Sequence, residues 1–338
     1  MKQKVILTTC FGIEDVVEKE LKERDEKSRV LERRKGRVIA EISSLKKVLS
    51  MRSIHHVIAL KDHFEFSSLE ELKERFGKID FSDVLQKGKT FRITCERVSI
   101  EKEHGFTSMD VQRECGEMIV RKYGNKVSLK NFDVEIRVDV VDNLAWVGVQ
   151  LTKQSLHQRG YRCFAHPAAL KPSLAYAMLR IAGVKRENTL LDPMCGGGTI
   201  AIEAALSLGC KKIFASDRNP EFVKGALSNA ERAGIKEKIN FLVADCRKLW
   251  WIKEVDKIVT NPPFGVRMGR SRRYLGNLYF RFLSSARDVV NECICLLTLR
   301  CEIFRRVLER VGGFEIAHQR TVGQGDIFPK LVVLRKTF

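Results

Sequence analysis

The 338-residue sequence predicts an α/β protein: two α+β regions followed by a doubly wound, mostly parallel sheet. Three observations carry this. From about His166 onward, short apolar runs alternate with helical stretches, the pattern of a parallel sheet covered on both faces. A triple-glycine turn joins the first of those runs to the helix after it. The N-terminal half instead sets strands side by side, with a hairpin around Asp142-Asn143.

The first region spans residues 1–65. Lys4–Thr9 reads as a strand and Ile13–Arg24 as an amphipathic helix. Arg37–Ile42 follows as a strand, Leu45–Met51 as a short helix and Ile54–Leu60 as another strand. They suggest a split β-α-β, ferredoxin-like unit, whose order is strand–helix–strand–strand–helix–strand and of which these five elements supply all but one strand. The second region spans residues 66–161 and opens with the charged helix Leu69–Phe76. Thr90–Val98 alternates apolar and polar residues as a half-buried strand. Met109, Val111, Cys115, Met118 and Ile119 have helical spacing within Met109–Tyr123. Phe132–Val140 and Leu144–Leu151 form the hairpin. Arg92, Arg97 and their basic neighbours mark either a solvated face or a polyanion-binding one; spacing alone does not choose. In the third region, residues 166–338, the runs Thr189–Asp192, Ile213–Ser216, Ile239–Val243, Lys257–Thr260 and Cys293–Thr298 are the parallel strands. Gly313–Ala317 and Leu331–Arg335 are expected to finish the sheet as two antiparallel edge strands.

Sixty-one Lys and Arg face 42 Asp and Glu, a formal charge of +19. Such an excess attracts polyanions, nucleic acid foremost, unless it serves solubility alone. No run of about 18 apolar residues exists, so no helix is expected to span a membrane. Met1-Lys2-Gln3-Lys4 leads into only a short apolar stretch, so no secretory leader is expected. None of the ten cysteines is spaced C-x-x-C. Neither a disulfide framework nor a metal site is indicated, and a reducing cytoplasm fits.

The chemistry concentrates in four loops. Asp192-Pro193-Met194-Cys195-Gly196-Gly197-Gly198-Thr199 follows a strand and opens a helix; glycines there let the backbone turn sharply and a ligand approach closely. It is neither G-x-G-x-x-G nor a P-loop. Asp217, with Arg218 beside it, ends the next strand, where a carboxylate can accept two ribose hydroxyls of an adenosine; Asn219 before Pro220 is the better helix cap. Asp245-Cys246 follows the third strand, where the acid pairs with an adenine amine or is an ordinary loop acid. After the fourth strand comes Asn261-Pro262-Pro263-Phe264-Gly265. The prolines stiffen this loop. The Asn261 carboxamide oxygen and the Pro262 carbonyl then make a pair of acceptors, which suits a planar exocyclic amine. Phe264 offers a face on which a base can stack. Just beyond, Arg267, Arg270, Arg272 and Arg273 are suited to phosphates flanking a nucleotide, or to a solvated basic loop.

Together these loops resemble the successive motifs of class I S-adenosylmethionine-dependent methyltransferases, in the N-P-P-[FY] form of enzymes that methylate amino groups of bases. Gln158-Arg159-Gly160-Tyr161-Arg162, His166–Lys171 and Leu174-Ala175 are similar to a linker of THUMP-containing RNA methyltransferases. The resemblance covers nearly the whole chain. It implies a ferredoxin-like domain (1–65), a THUMP RNA-binding domain (66–161) and a Rossmann-fold methyltransferase domain (166–338). It implies S-adenosyl-L-methionine as cofactor, bound by Asp192–Thr199, Asp217, Arg218, Asp245, Cys246 and Asn261, with Asn261, Pro262 and Phe264 catalytic. Arg267, Arg270, Arg272, Arg273, Arg92 and Arg97 are the expected RNA contacts. The Asp-Pro-Met-Cys-Gly and Asn-Pro-Pro-Phe-Gly forms are similar to those of enzymes making N2-methylguanosine at position 6 of tRNA; enzymes for position 10 tend to carry Asp in the fourth motif. The resemblance further implies that the THUMP domain binds the tRNA 3′ end and measures the distance to the target. The expectation is a cytoplasmic monomer acting on tRNA, with no DNA, membrane or metal partner. N2-methylation of guanine in ribosomal RNA or at another tRNA position, and an RNA chaperone with a vestigial catalytic fold, remain open at this point.

Overall fold

A computed structural model describes residues 2–98, 104–265 and 272–337. Two compact units emerge: residues 1–9 with 18–156, and residues 10–17 with 157–338.

The elements of the first unit run β1 (Gln3–Thr8), α1 (Glu14–Arg24, its first turn grouped with the second unit), β2 (Arg29–Arg34), β3 (Arg37–Ile42), α2 (Leu45–Leu49) and β4 (Val57–Glu65). There follow α3 (Leu69–Lys78), β5 (Thr90–Val98), α4 (Ser108–Tyr123), β6 (Lys126–Val127), β7 (Val134–Val141) and β8 (Leu144–Gln150). The first four strands pair antiparallel in the order β2-β3-β1-β4, as a ferredoxin-like unit requires. β4 then pairs with β8, so a single eight-stranded sheet, β2-β3-β1-β4-β8-β7-β5-β6, runs through both α+β regions. β4 starts three residues later than expected and extends to Glu65; α2 ends at Leu49 rather than Met51. Local chemistry explains the clearest boundaries. Thr107 and Asp110 form a reciprocal capping box on α4, and Gly124 closes it in the left-handed region. Asp142, at φ 53°, turns the β7–β8 hairpin, a conformation that Asp and Asn tolerate better than other side-chain-bearing residues.

In the second unit come α5 (Pro172–Ile181), β9 (Thr189–Asp192), α6 (Thr199–Ser207), β10 (Lys212–Asp217), α7 (Pro220–Arg232), β11 (Asn240–Val243) and β12 (Val255–Thr260). They are followed by α8 (Arg272–Val289), β13 (Val290–Thr298), α9 (Cys301–Val311), β14 (Phe314–Thr321) and β15 (Lys330–Lys336). The sheet order is β11-β10-β9-β12-β13-β15-β14, parallel through β13. One expectation needs correction. β15 is not an edge strand: it inserts antiparallel between β13 and β14. Four consecutive buried residues, Leu331–Leu334, give it two faces to cover, whereas β14 is half-exposed along its length and suits the edge.

Strand alternation divides the core. Leu190, Val259, Cys295 and Val333 join α5, α6 and α7 on one face; Leu191, Ile258, Ile294 and Leu334 join α8 and α9 on the other. Cys293 and Cys295 are thus core thiols of a buried strand, as the apolar run predicts. Among the described residues, no helix is long and apolar enough to cross a membrane.

Candidate active site

Because β11, β10, β9 and β12 are parallel neighbours, their C-terminal ends share one edge. The strand order reverses between β9 and β12, which is where open α/β sheets leave a crevice for ligands. All four motif loops sit on that edge.

Beyond β9 the chain turns over buried Pro193, Cys195 and Gly196. Gly198 caps α6 at φ 78°, where a Cβ would stand 3.0 Å from the Ala226 methyl; only glycine fits both demands. The Cys195 amide donates to the Ser216 carbonyl at 2.9 Å, tying the turn to β10. Asp217 faces the turn. Its Oδ2 accepts the Gly196 amide at 3.1 Å and its Oδ1 the Asn219 amide at 3.0 Å. Asn219, with Pro220 behind it, caps α7 through the Glu221 amide. Asp217 is therefore free of capping duty. Arg218 is exposed beside it.

Asp192 lies beneath both the glycine turn and the β12 loop, 1% exposed. Its Oδ1 accepts the Thr260 hydroxyl at 2.7 Å and the Met194 amide at 3.4 Å, so one buried carboxyl ties the two loops together. Burial pushes its pKa up from 3.8 to about 7, against the lowering effect of those two hydrogen bonds; the Asp217 charge adds a smaller push. Between these values the folded protein keeps a proton that the unfolded chain has released. The stability this confers is complete below about pH 4 and lost as pH rises through 7. Asp192→Asn is expected to flatten that slope. Denaturant unfolding of both proteins from about pH 4 to 8 checks it, and parallel curves would contradict it.

Asn261 follows Thr260 at the end of β12. Its Oδ1 is buried and has no hydrogen-bond partner among the described residues. Pro262 is buried, and Phe264 lies partly buried against the core. Arg272 and Arg273 are exposed at the start of α8; Arg267 and Arg270 lie outside the described residues. Asp245 is already engaged: both of its oxygens accept Arg247 Nε at 2.9 Å, and this pairing holds its carboxyl below the usual range. Cys246 is buried behind it. Arg92 and Arg97 lie in the first unit and make internal contacts. Arg92 pairs with Glu135 at 2.6 Å and stands over the Phe132 ring; Arg97 donates to the Phe106 carbonyl.

Across the rest of this unit, the sequence pattern of the RMKL-like methyltransferase domain matches residues 159–329, and that of the THUMP domain matches residues 66–150 in the first unit. The tRNA (guanine(6)-N2)-methyltransferase of Archaeoglobus fulgidus is 32% identical, over 96% of this chain and 90% of that protein. The chain belongs to the THUMP-containing, RMKL-like methyltransferases. A protein of the same name from Thermus thermophilus is 36% identical over 97% of this chain and 98% of its own. The crystal structure of TrmN from Thermus thermophilus superposes with a TM-score of 0.80 at 35% identity, covering 99% of this chain and all of that one. The family fold, a THUMP domain followed by a class I methyltransferase domain, is the one described above.

In this methyltransferase the linker motif has a structural purpose that residue types alone did not reveal. Asn229 of α7, 2% exposed, accepts the Cys163 and Phe164 amides, each at 2.9 Å. It donates to the Phe164 carbonyl at 3.2 Å and the Gly197 carbonyl at 2.9 Å. The linker is thereby fastened to the glycine turn. The Phe164 ring fills space that a Cβ on Gly225 would need. The His166 ring lies 3.3 Å from where a Cβ on Gly196 would stand; burial lowers its pKa, opposed by Asp217. Tyr161 and Arg159 both donate to Glu203, which is fully buried in α6. The signal was present in Gln158–Arg162 and His166, which the sequence marks as a motif without indicating what they touch.

Proposed function

We propose that this methyltransferase transfers a methyl group from S-adenosylmethionine to the exocyclic N2 of a guanine in tRNA, at position 6 of the acceptor stem. The observation that carries this is the Asn261 oxygen, buried and without a hydrogen-bond partner among the described residues. An acceptor left so costs about 1–3 kcal/mol, and such costs gather where a ligand supplies the missing donor. An amine N–H is such a donor.

The residues present fit the cofactor. Asp217 has one backbone N–H on each oxygen and keeps lone pairs for two ribose hydroxyls. The glycine turn, with Pro193, Met194, Cys195 and Thr199 around it, would lie against the cofactor. Asp245 would meet the adenine amine, with Arg218 and Cys246 lining that side. S-adenosylmethionine, when bound, supplies an electrophilic methyl on a positively charged sulfur. The chain's own work is then placement. Asn261, with the Pro262 carbonyl, holds the amine and directs its lone pair; the Asp192–Thr260 bond keeps that loop against the glycine turn. Phe264 stacks on the base, offsetting part of the few kcal/mol needed to take it out of its helix. Arg272 and Arg273, with Arg267 and Arg270, take the flanking phosphates, while Arg92 and Arg97 contact RNA from the THUMP domain. The working division is residues 1–65, 66–161 and 166–338, in a cytoplasmic monomer.

The names of the full-length relatives favour tRNA over ribosomal RNA. The test is direct. Purified tRNA and ribosomal RNA are incubated separately with the protein and labelled methyl donor. Label is expected in tRNA as N2-methylguanosine at position 6; label only in ribosomal RNA, or on another atom of the base, would overturn the proposal.

A further inference from the structure

Trp250 is 83% exposed, the most exposed large hydrophobic side chain among the described residues. A freely moving loop does not account for this. Leu249 before it is fully buried, with its amide held by the Ser285 hydroxyl at 2.7 Å. Trp251 after it packs against the core with its ring 6.3 Å from that of Phe214, and Ile252 is buried. The segment is pinned on both sides, and the indole is presented to solvent between the pins.

Three residues earlier stands Arg247, at most about 11 Å away along the chain. It lines a cavity of about 260 Å³ with Arg273, Tyr274, Asn277 and Leu278. Two guanidinium groups therefore line the recess, and one of them, Arg247, is paired with the Asp245 carboxylate. Arg273 makes no ion pair among the described residues, and the first turn of α8 carries no acidic residue. The N-terminus of that 18-residue helix adds partial positive charge to the same wall. Asn277 offers neutral donors. A net cationic recess beside a fixed, outward aromatic suits an unpaired nucleotide, whose phosphate and base need those two surfaces.

We propose that the loop between β11 and β12 and the start of α8 form an RNA subsite, in which Arg247 and Arg273 hold one backbone phosphate and Trp250 stacks on an adjacent base. This rests on the RNA-methyltransferase function above. It adds two residues, Arg247 and Trp250, that no motif singles out, and it makes Arg247 the link between the cofactor side and the RNA side through Asp245.

The test is binding of unmodified, labelled tRNA transcript to the full chain, measured by filter retention between about 50 and 200 mM salt, with tryptophan emission recorded alongside. Arg273→Gln is expected to weaken binding and to lower the slope of log affinity against log salt by about one. Trp250→Ala is expected to weaken binding about tenfold, Trp250→Phe to restore most of it, and the RNA-induced change in emission to vanish in Trp250→Phe. An Arg273→Gln slope equal to wild type, or a Trp250→Ala affinity equal to wild type, overturns the subsite while leaving the tRNA function standing. Wild-type protein that shows no salt-dependent tRNA binding would overturn both. Unchanged cofactor affinity in Arg273→Gln is the control that separates lost phosphate contact from a disturbed fold.

Discussion

Asn261→Ala is expected to slow methyl transfer by about 10²–10³-fold and to leave the folded state as stable as before, or more so. The two signs together are diagnostic. A residue kept for packing or for an internal hydrogen bond destabilises the fold when it is cut back. Asn261 Oδ1 has no internal bond to lose among the described residues, and removing a buried orphan acceptor relieves a desolvation cost. Single-turnover rates with tRNA, tRNA affinity and thermal unfolding are the three measurements. Affinity is expected to move little, because phosphate contacts dominate it. Asn261→Asp retains an acceptor oxygen at the same place and should recover part of the rate. Retained methylation in Asn261→Ala, or a substantial loss of stability, would remove Asn261 from the role assigned to it.

Asn229→Ala should be the most damaging substitution away from the reacting atoms. It deletes five hydrogen bonds at once, one of them from the Cys163 thiol, and strands two amides and two carbonyls in the linker and the glycine turn. At about 1 kcal/mol each for the partly exposed groups, the fold should lose roughly 3–4 kcal/mol. Cofactor binding should weaken by about tenfold or more, since the Gly197 carbonyl loses its anchor. Asn229→Asp is the informative companion. It can still accept the Cys163 and Phe164 amides, but an ionised carboxylate cannot donate to the two carbonyls and repels them. Equilibrium unfolding together with cofactor titration checks both variants. An Asn229→Asp protein with wild-type cofactor affinity would show that the glycine turn does not depend on this clamp.

The methyltransferase half was legible because its information is local. A strand, an acid or a glycine turn, and then a helix repeat along the chain, and each motif loop stays within a few residues of the strand that positions it. β9 and the whole Asn261–Gly265 loop are placed as the sequence expects. What escaped depends on distance. β2, Arg29–Arg34, is charged and mostly exposed, so nothing apolar announces its residues; β6 has two residues. The order β13-β15-β14 is decided by which strand can bury both faces, a comparison no single segment contains. Asn229 lies 66 residues from Cys163, and an Asn on an amphipathic helix reads as surface until its partners are known. The engagement of Asp245 by Arg247 was hidden for the opposite reason. The two are close neighbours in the chain, but a side chain's choice between solvent and the adjacent acid leaves no trace in residue spacing.

The position of β15 bears on how the chain reaches its final state. β14 precedes β15 in the chain yet, among the described residues, pairs in the finished sheet with that later strand alone, so it docks only together with residues 330–336. Until then the flank of β13 lies open, with Cys295 and Leu297 on it, a row of unmet backbone groups able to recruit a strand from another chain. Any folding chain in which β15 has not yet docked exposes this row of groups, and a slow step in the closing hairpin prolongs that exposure.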